Sequence, residues 1–126
     1  EEFLDHYESG LTPNPDVVCN REIKFKALLN HVMNNFHPDA LATGHYAMVG
    51  FDDTTQTYTL GSAVDENRDQ TLFLCLVKSQ QLEKVMFPIG HMMKDEVRKI
   101  AKETGMHVAD KKTSTGLCFV GSRNFQ

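Results

Sequence analysis

From residue 20 to residue 36 the apolar positions Phe25, Leu28, Leu29, Val32, Met33 and Phe36 recur at helical spacing. Asn20 stands where an N-cap belongs, and the predicted helix runs to about Asn35 and stops before Pro38. Ahead of it Pro13 and Pro15 bracket Asn14, so residues 11–20 read as an extended, rigid turn without regular structure. Glu1 to Glu8 read as the tail of an earlier helix closed by Gly10.

The pattern then changes period. Ala40-Leu41-Ala42-Thr43 reads as a short buried strand ending at Gly44-His45. Tyr46–Phe51 and Thr57–Ser62 flank a polar Asp52–Gln56 stretch and predict a β-hairpin. The run Leu72–Val77 fits helix or buried strand, with helix preferred, and makes Cys75 a buried structural thiol. Ser79 is placed to cap a short helix over Gln80–Met86, ended by Pro88. Lys94–Thr104 is amphipathic, with Val97, Ile100 and Ala101 inward and Gly105 behind. Lys111–Gly116 is a polar loop, and Leu117–Val120 a short strand carrying Cys118. The fold class is therefore α/β at the start, followed by a smaller α+β unit.

The 126 residues are 40% hydrophobic and 24% charged, ordinary for one modest globular domain. No stretch approaches the apolar length a membrane-spanning helix needs, and none reads as a signal peptide. The chain lacks an initial Met and ends at Gln126 without a natural stop, the pattern of an internal fragment. The net charge of −4 argues mildly against a nucleic-acid binder, but it is unevenly spread. Residues 1–63 hold three Lys/Arg against nine Asp/Glu (−6), and residues 64–126 hold ten against eight (+2). Any polyanion-binding surface in this chain belongs mainly to its second half.

Three widely spaced cysteines do not form a secreted disulfide framework, and a reducing compartment fits them better. Cys19, directly before the predicted helix start, would feel free amides and the helix dipole, which favour thiolate. Asp16, three residues earlier, could serve as an acid/base partner to such a nucleophile; a packed cysteine and a turn aspartate are the competing reading. Cys118 lies between apolar Leu117 and Phe119, which suits a core, yet it follows a loop with Lys111, Lys112 and Gly116, which suits a tuned anionic sulfur. Gly44 follows a strand, where α/β sheets present backbone to nucleotides, although a plain turn explains it too. His45 reads as structural rather than as a general base. Arg68-Asp69-Gln70 is either solvated surface or a phosphate- and base-contacting triplet. A metal site fails on spacing, because there is no Cys-x-x-Cys pair and no His pair beside a cysteine.

Four blocks, Leu11–Phe25, Ala42–Ala47, Arg68–Leu74 and Ser114–Gly121, together resemble the tRNA-specific 2-thiouridylase family in order and spacing, over essentially the whole chain. The resemblance implies a Rossmann-like adenine-nucleotide (PP-loop) domain, with residues 1–80 as its later part and residues 81–126 opening a small α+β central tRNA-binding domain. It implies an ATP-dependent transferase, with Mg2+ accompanying ATP, that replaces the C2 oxygen of the wobble uridine in the tRNA anticodon loop with sulfur. In that picture the uracil oxygen is adenylated and attacked by a persulfide on Cys118, loaded by a sulfur-relay donor protein. Cys19 then resolves the intermediate by releasing hydrosulfide or through a transient Cys19–Cys118 disulfide. The resemblance makes Asp16 the acid/base and places Asn14, Pro15 and Asp16 on the target base. It puts Gly44 on the nucleotide and Arg68, Asp69 and Gln70 on tRNA, in a cytoplasmic enzyme (mitochondrial if the parent is eukaryotic).

The family's Ser-Gly-Gly-Val-Asp-Ser phosphate loop and its C-terminal β-barrel are missing from these 126 residues, so this stretch alone is not expected to adenylate tRNA. Two other readings stay open. A related ATP-dependent sulfurtransferase or amidotransferase of the same fold would keep Gly44 without needing both cysteines. A non-catalytic tRNA-binding module would need neither.

Overall fold

The computed structural model describes residues 14–111, together with Asp5 and residues 8–10. Cys118 and the elements expected over residues 112–120 lie outside the described residues, as do Pro13 and most of the first ten. Gly10 has a φ of +76°, the left-handed conformation that suits a helix-closing glycine.

The first long helix starts earlier than its apolar spacing predicts. Helix α1 (Pro15–Val18) passes into a π-helical stretch (Cys19–Leu28) and then into α2 (Leu29–Phe36). Asn14, not Asn20, is the cap: its Oδ1 accepts from the amides of Asp16 at 3.1 Å and Val17 at 3.4 Å. Pro15 takes the first helical position, where a missing N–H is no loss and a fixed φ is an advantage. The rigid turn expected over residues 11–20 is thus helical from Pro15, and Asn20 is buried inside the helix. The helix ends as expected, with His37 at a φ of 48° just before Pro38.

Strand β1 (Leu41–Ala42) pairs in parallel with β4 (Val85–Met86). The antiparallel hairpin of β2 (Met48–Asp52) and β3 (Thr57–Gly61) forms where alternation predicted it. Asp52 closes its turn by accepting from Thr54 N at 2.8 Å and Thr55 Oγ1 at 2.9 Å. A 3₁₀ turn (Thr71–Leu74), a short helix α3 (Ser79–Leu82) and helix α4 (Lys94–Glu103) complete the described chain. The core is Phe25, Leu29, Ala47, Leu74, Leu82, Val85 and Phe87.

Several expectations are corrected. Val85–Met86 is a strand rather than the end of a helix, because β1 offers its edge: Leu41 N donates to Lys84 O at 2.8 Å and Thr43 N to Met86 O at 3.0 Å. Lys78, not Ser79, is the N-cap residue of α3, and Ser79 Oγ instead donates to Tyr58 O. Cys75 is exposed, since the 3₁₀ turn is too short to wrap its apolar run into the core and turns Leu72 and Leu76 outward as well. The strand Leu41–Ala42 is only partly buried. On α4, Val97 and Ala101 are partly covered but Ile100 is 47% exposed; on the first helix Leu28 and Phe36 also face outward. The β1–β4 ladder and the core both span residue 80, and a domain boundary there remains a proposal.

Candidate active site

Because the helix begins at Pro15, Asp16 and Cys19 lie three residues apart within it. Side chains at that spacing are neighbours on one helix face. Cys19 N–H donates back to Asp16 O and Pro15 O, which fixes the turn between them. The thiol therefore does not sit ahead of the helix start, as its sequence position suggested, but at the end of the first turn and the opening of the π-helical stretch. Such wide turns are uncommon and recur at functional sites. Cys19 is half-buried and free, and the Asp16 carboxylate has no hydrogen-bond or ion-pair partner among the described residues.

Asn20 is the anchor that sequence reading missed. It is 2% exposed, and its Nδ2 donates to Phe73 O at 2.9 Å, fastening the cysteine-bearing helix to the 3₁₀ turn. Pro15–Val18 packs against that turn as well. One helix turn further on, the carbonyl of Phe25 accepts from Gln81 Nε2, so the widened helix is tied to α3 too. A polar residue in the middle of an apolar helical run was the available signal for Asn20, and it reads equally well as a cap.

Gly44 leaves the C-terminal end of β1, exposed, with nothing within 4 Å of where a Cβ would stand. Parallel α/β sheets bind ligands at this end of their strands. His45, next along, is buried. Its ring packs on Phe25 and Phe87 with centroids 5.5 and 5.7 Å away, and Nδ1 lies 2.8 Å from Thr43 Oγ1. Burial, helped by the nearby Lys24 charge, pushes its pKa down from 6.5 to about 4. His45 is thus a neutral structural residue, as its sequence context suggested.

That shift makes a pH prediction. Folded His45 stays neutral where an unfolded histidine takes up a proton, so its contribution is complete above pH 6.5 and is lost as pH falls toward 4. A difference of up to about 1.4 kcal/mol per pH unit between wild type and His45→Gln is expected inside that window. Unfolding curves collected between those limits test it. Parallel pH profiles for the two proteins would refute it.

Within Arg68-Asp69-Gln70 the side chains divide. Asp69 accepts from Ala63 N at 2.6 Å, Thr71 N at 3.0 Å and Thr71 Oγ1 at 3.0 Å. Burial raises its pKa, but these hydrogen bonds outweigh it and leave the carboxyl below its usual value. Gln70 Oε1 accepts from Tyr46 N at 3.0 Å while Gln70 N donates to Tyr46 O at 2.8 Å. Both residues tie the neck of the hairpin to the strand end that carries Gly44. Arg68 alone of the triplet is exposed. Asn20 ties the Asp16–Cys19 turn to the 68–74 segment, and Phe25 on the same helix packs on His45, the neighbour of Gly44; Cys118 lies outside the described residues. Among the described residues no cluster of three His, Cys, Asp or Glu is placed to hold a metal, and no helix is long and apolar enough to cross a membrane.

A parallel strand pair with a helix packed against it is an α/β arrangement. The family described as the tRNA methyl transferase HUP domain matches residues 1–122, and the chain belongs to it. Curated relatives carry the name tRNA-specific 2-thiouridylase MnmA. The protein of Ligilactobacillus salivarius is 53% identical over 123 residues, covering 98% of this chain and 32% of that protein. That of Mesoplasma florum is 50% identical over 125 residues, 99% of this chain and 33% of its own length. MnmA 2 of Geobacillus kaustophilus is 55% identical over 124 residues, 98% and 33% respectively. The chain thus spans about a third of the length of the curated relatives it matches.

Proposed function

We propose that the protein containing this chain transfers sulfur to the C2 position of the wobble uridine of tRNA in an ATP-dependent reaction, in the cytoplasm. The observation that carries this reading is the Asp16–Cys19 turn, held by Asn20 against the 68–74 segment. It supports a role for the Cys19 thiol and the uncommitted Asp16 carboxylate. The names of the relatives supply the substrate class.

Asn14, Pro15 and Asp16 meet the flipped uracil, which an anticodon loop releases at modest cost. Asn14 uses its side-chain oxygen as the helix cap, so its amide nitrogen is the atom left for the base. Gly44 lets the adenine nucleotide, with its Mg2+, lie against the backbone; ATP supplies the adenylyl group that makes the C2 oxygen a leaving group. Cys118 bears a persulfide received from a donor protein, and its outer sulfur attacks C2. Asp16 moves the proton. Cys19 thiolate then attacks the sulfur of Cys118, which frees the thiolated base and leaves a Cys19–Cys118 disulfide for a reductant to reopen. Arg68 contacts the tRNA backbone, with Asp69 and Gln70 holding its segment in place.

The separating experiment is Cys118→Ser in the complete protein. Pyrophosphate release in the presence of tRNA continues, whereas 2-thiouridine, read by mass spectrometry of digested tRNA, disappears. Unimpaired thiolation by the variant would remove the persulfide role and favour the related amidotransferase-type chemistry.

A further inference from the structure

Around Tyr46 the chain brings three basic residues beside the buried carboxylate of Asp65. Lys94 Nζ lies 5.5 Å from the centre of the Tyr46 ring. Burial and the Asp65 charge push the Tyr46 phenol pKa up, and the charges of Arg68 and Arg98 act on it in the opposite sense. Lys26 is matched with Glu22, Lys84 with Glu83, Lys99 with Glu103 and Lys102 with Asp110, while Lys24, Lys78 and Lys111 have no such partner among the described residues. Lys94, Arg98 and Arg68 make no such pair among the described residues. Arg98 offers one long bond of 3.4 Å from Nη2 to Lys111 O, which leaves most of its five donors unused.

The facing carboxylate is Asp65, buried and committed. Its Oδ2 accepts from Lys94 N at 2.9 Å, which pins the start of α4 and aims the lysine across Tyr46. Asp65 O also accepts from Arg68 N at 2.9 Å, so one residue positions two of the three cations. The Tyr46 hydroxyl is buried at this spot with no hydrogen-bond partner. An orphan donor beneath three unpaired cations lacks an anionic acceptor. Lys94 covers the ring through a flexible stem and can lift to admit one.

We infer that Lys94, Arg98 and Arg68, which Asp65 and the start of α4 bring together beside Tyr46, form a contact for a backbone phosphate of RNA. The inference rests on the reading of tRNA as substrate and extends the contact surface from Arg68 onto helix α4. An RNA backbone fits better than a nucleotide: the cations come from a loop and two successive turns of a helix, a spread surface rather than a loop wrapped around one phosphate chain. The contact also lies in the half of the chain that carries the positive balance.

The test uses the complete protein and unmodified tRNA, with binding measured by fluorescence anisotropy across a salt series. The double variant Lys94→Gln/Arg98→Gln is expected to bind about tenfold more weakly and to lower the slope of log affinity against log salt by about one. Lys94→Arg/Arg98→Lys keeps the slope, and Tyr46→Phe weakens binding about threefold with an unchanged melting temperature. Undiminished affinity and slope in the Gln double variant would overturn the inference while wild-type binding keeps the substrate reading alive. A raised KM for ATP with unaltered tRNA affinity would overturn it too, by giving the site to the nucleotide. Absence of tRNA binding by the wild type would instead remove the substrate reading itself.

Discussion

On the proposed reading, serine in place of Cys19 leaves the complete protein able to bind tRNA while 2-thiouridine formation falls by about a thousandfold or more. The hydroxyl is nearly the size of the thiol, and the contacts that place this helix turn come from neighbours: the Asn14 cap, the Asn20–Phe73 bond and the packing of Pro15–Val18 on the 3₁₀ turn. Fold and tRNA affinity should therefore survive. Lost is a sulfur that ionises near neutral pH and can attack another sulfur; an alkoxide is inaccessible there, and oxygen cannot form the disulfide that frees the product. Thiolation is scored by mass spectrometry and binding by anisotropy on the same preparation. Wild-type thiolation by the serine variant would return Cys19 to the role of a packed side chain.

This prediction depends on geometry that sequence reading reached only in part. The apolar spacing from Phe25 to Phe36 survives in part: Phe25 and Leu29 enter the core and Met33 packs on it, while Leu28 and Phe36 face outward. The helix start was misplaced for a local reason. Pro15 was read as a breaker, yet Asn-Pro-Asp is also a cap, a first helical residue and an acidic second one, and the last reading holds. The π-helical turns from Cys19 leave no trace in the apolar spacing, since they are fixed by tertiary ties at Asn20 and Phe25.

Strand β4 was illegible for a similar reason: a two-residue strand exists only because β1 lies beside it. Cys75 shows the converse error, an apolar neighbourhood in sequence that the fold turns outward. In the site, residue types were legible and commitments were not. Asp69 and Gln70 look like surface polar residues in sequence, but they spend their hydrogen bonds on Ala63, Thr71 and Tyr46. The result is a strand end fixed in place beside Gly44.

Gly90→Ala should destabilise the protein by about 3–5 kcal/mol, the largest stability effect expected of any single methyl added here. A Cβ at Gly90 would stand 1.7 Å from Ala47 O and 2.7 Å from Ala47 C, against backbone rather than a yielding side chain. Ala47 is itself fully buried in the core, so it has no free space to retreat into. Nor can Gly90 withdraw easily, since its N–H donates to Phe87 O at 3.1 Å and its carbonyl accepts from Val64 N at 2.9 Å. Relief must come from displacing the Gly44–Ala47 segment, which carries the backbone proposed to meet the nucleotide and the Tyr46 hydroxyl. Impaired nucleotide and tRNA binding should therefore accompany the loss of stability. By contrast, Gly44→Ala meets nothing within 4 Å and should fold normally, so any loss of ATP affinity in that variant reports ligand contact alone. Urea unfolding of both variants beside the wild type decides the matter: a Gly90→Ala midpoint equal to that of Gly44→Ala would mean that the two backbones do not approach so closely.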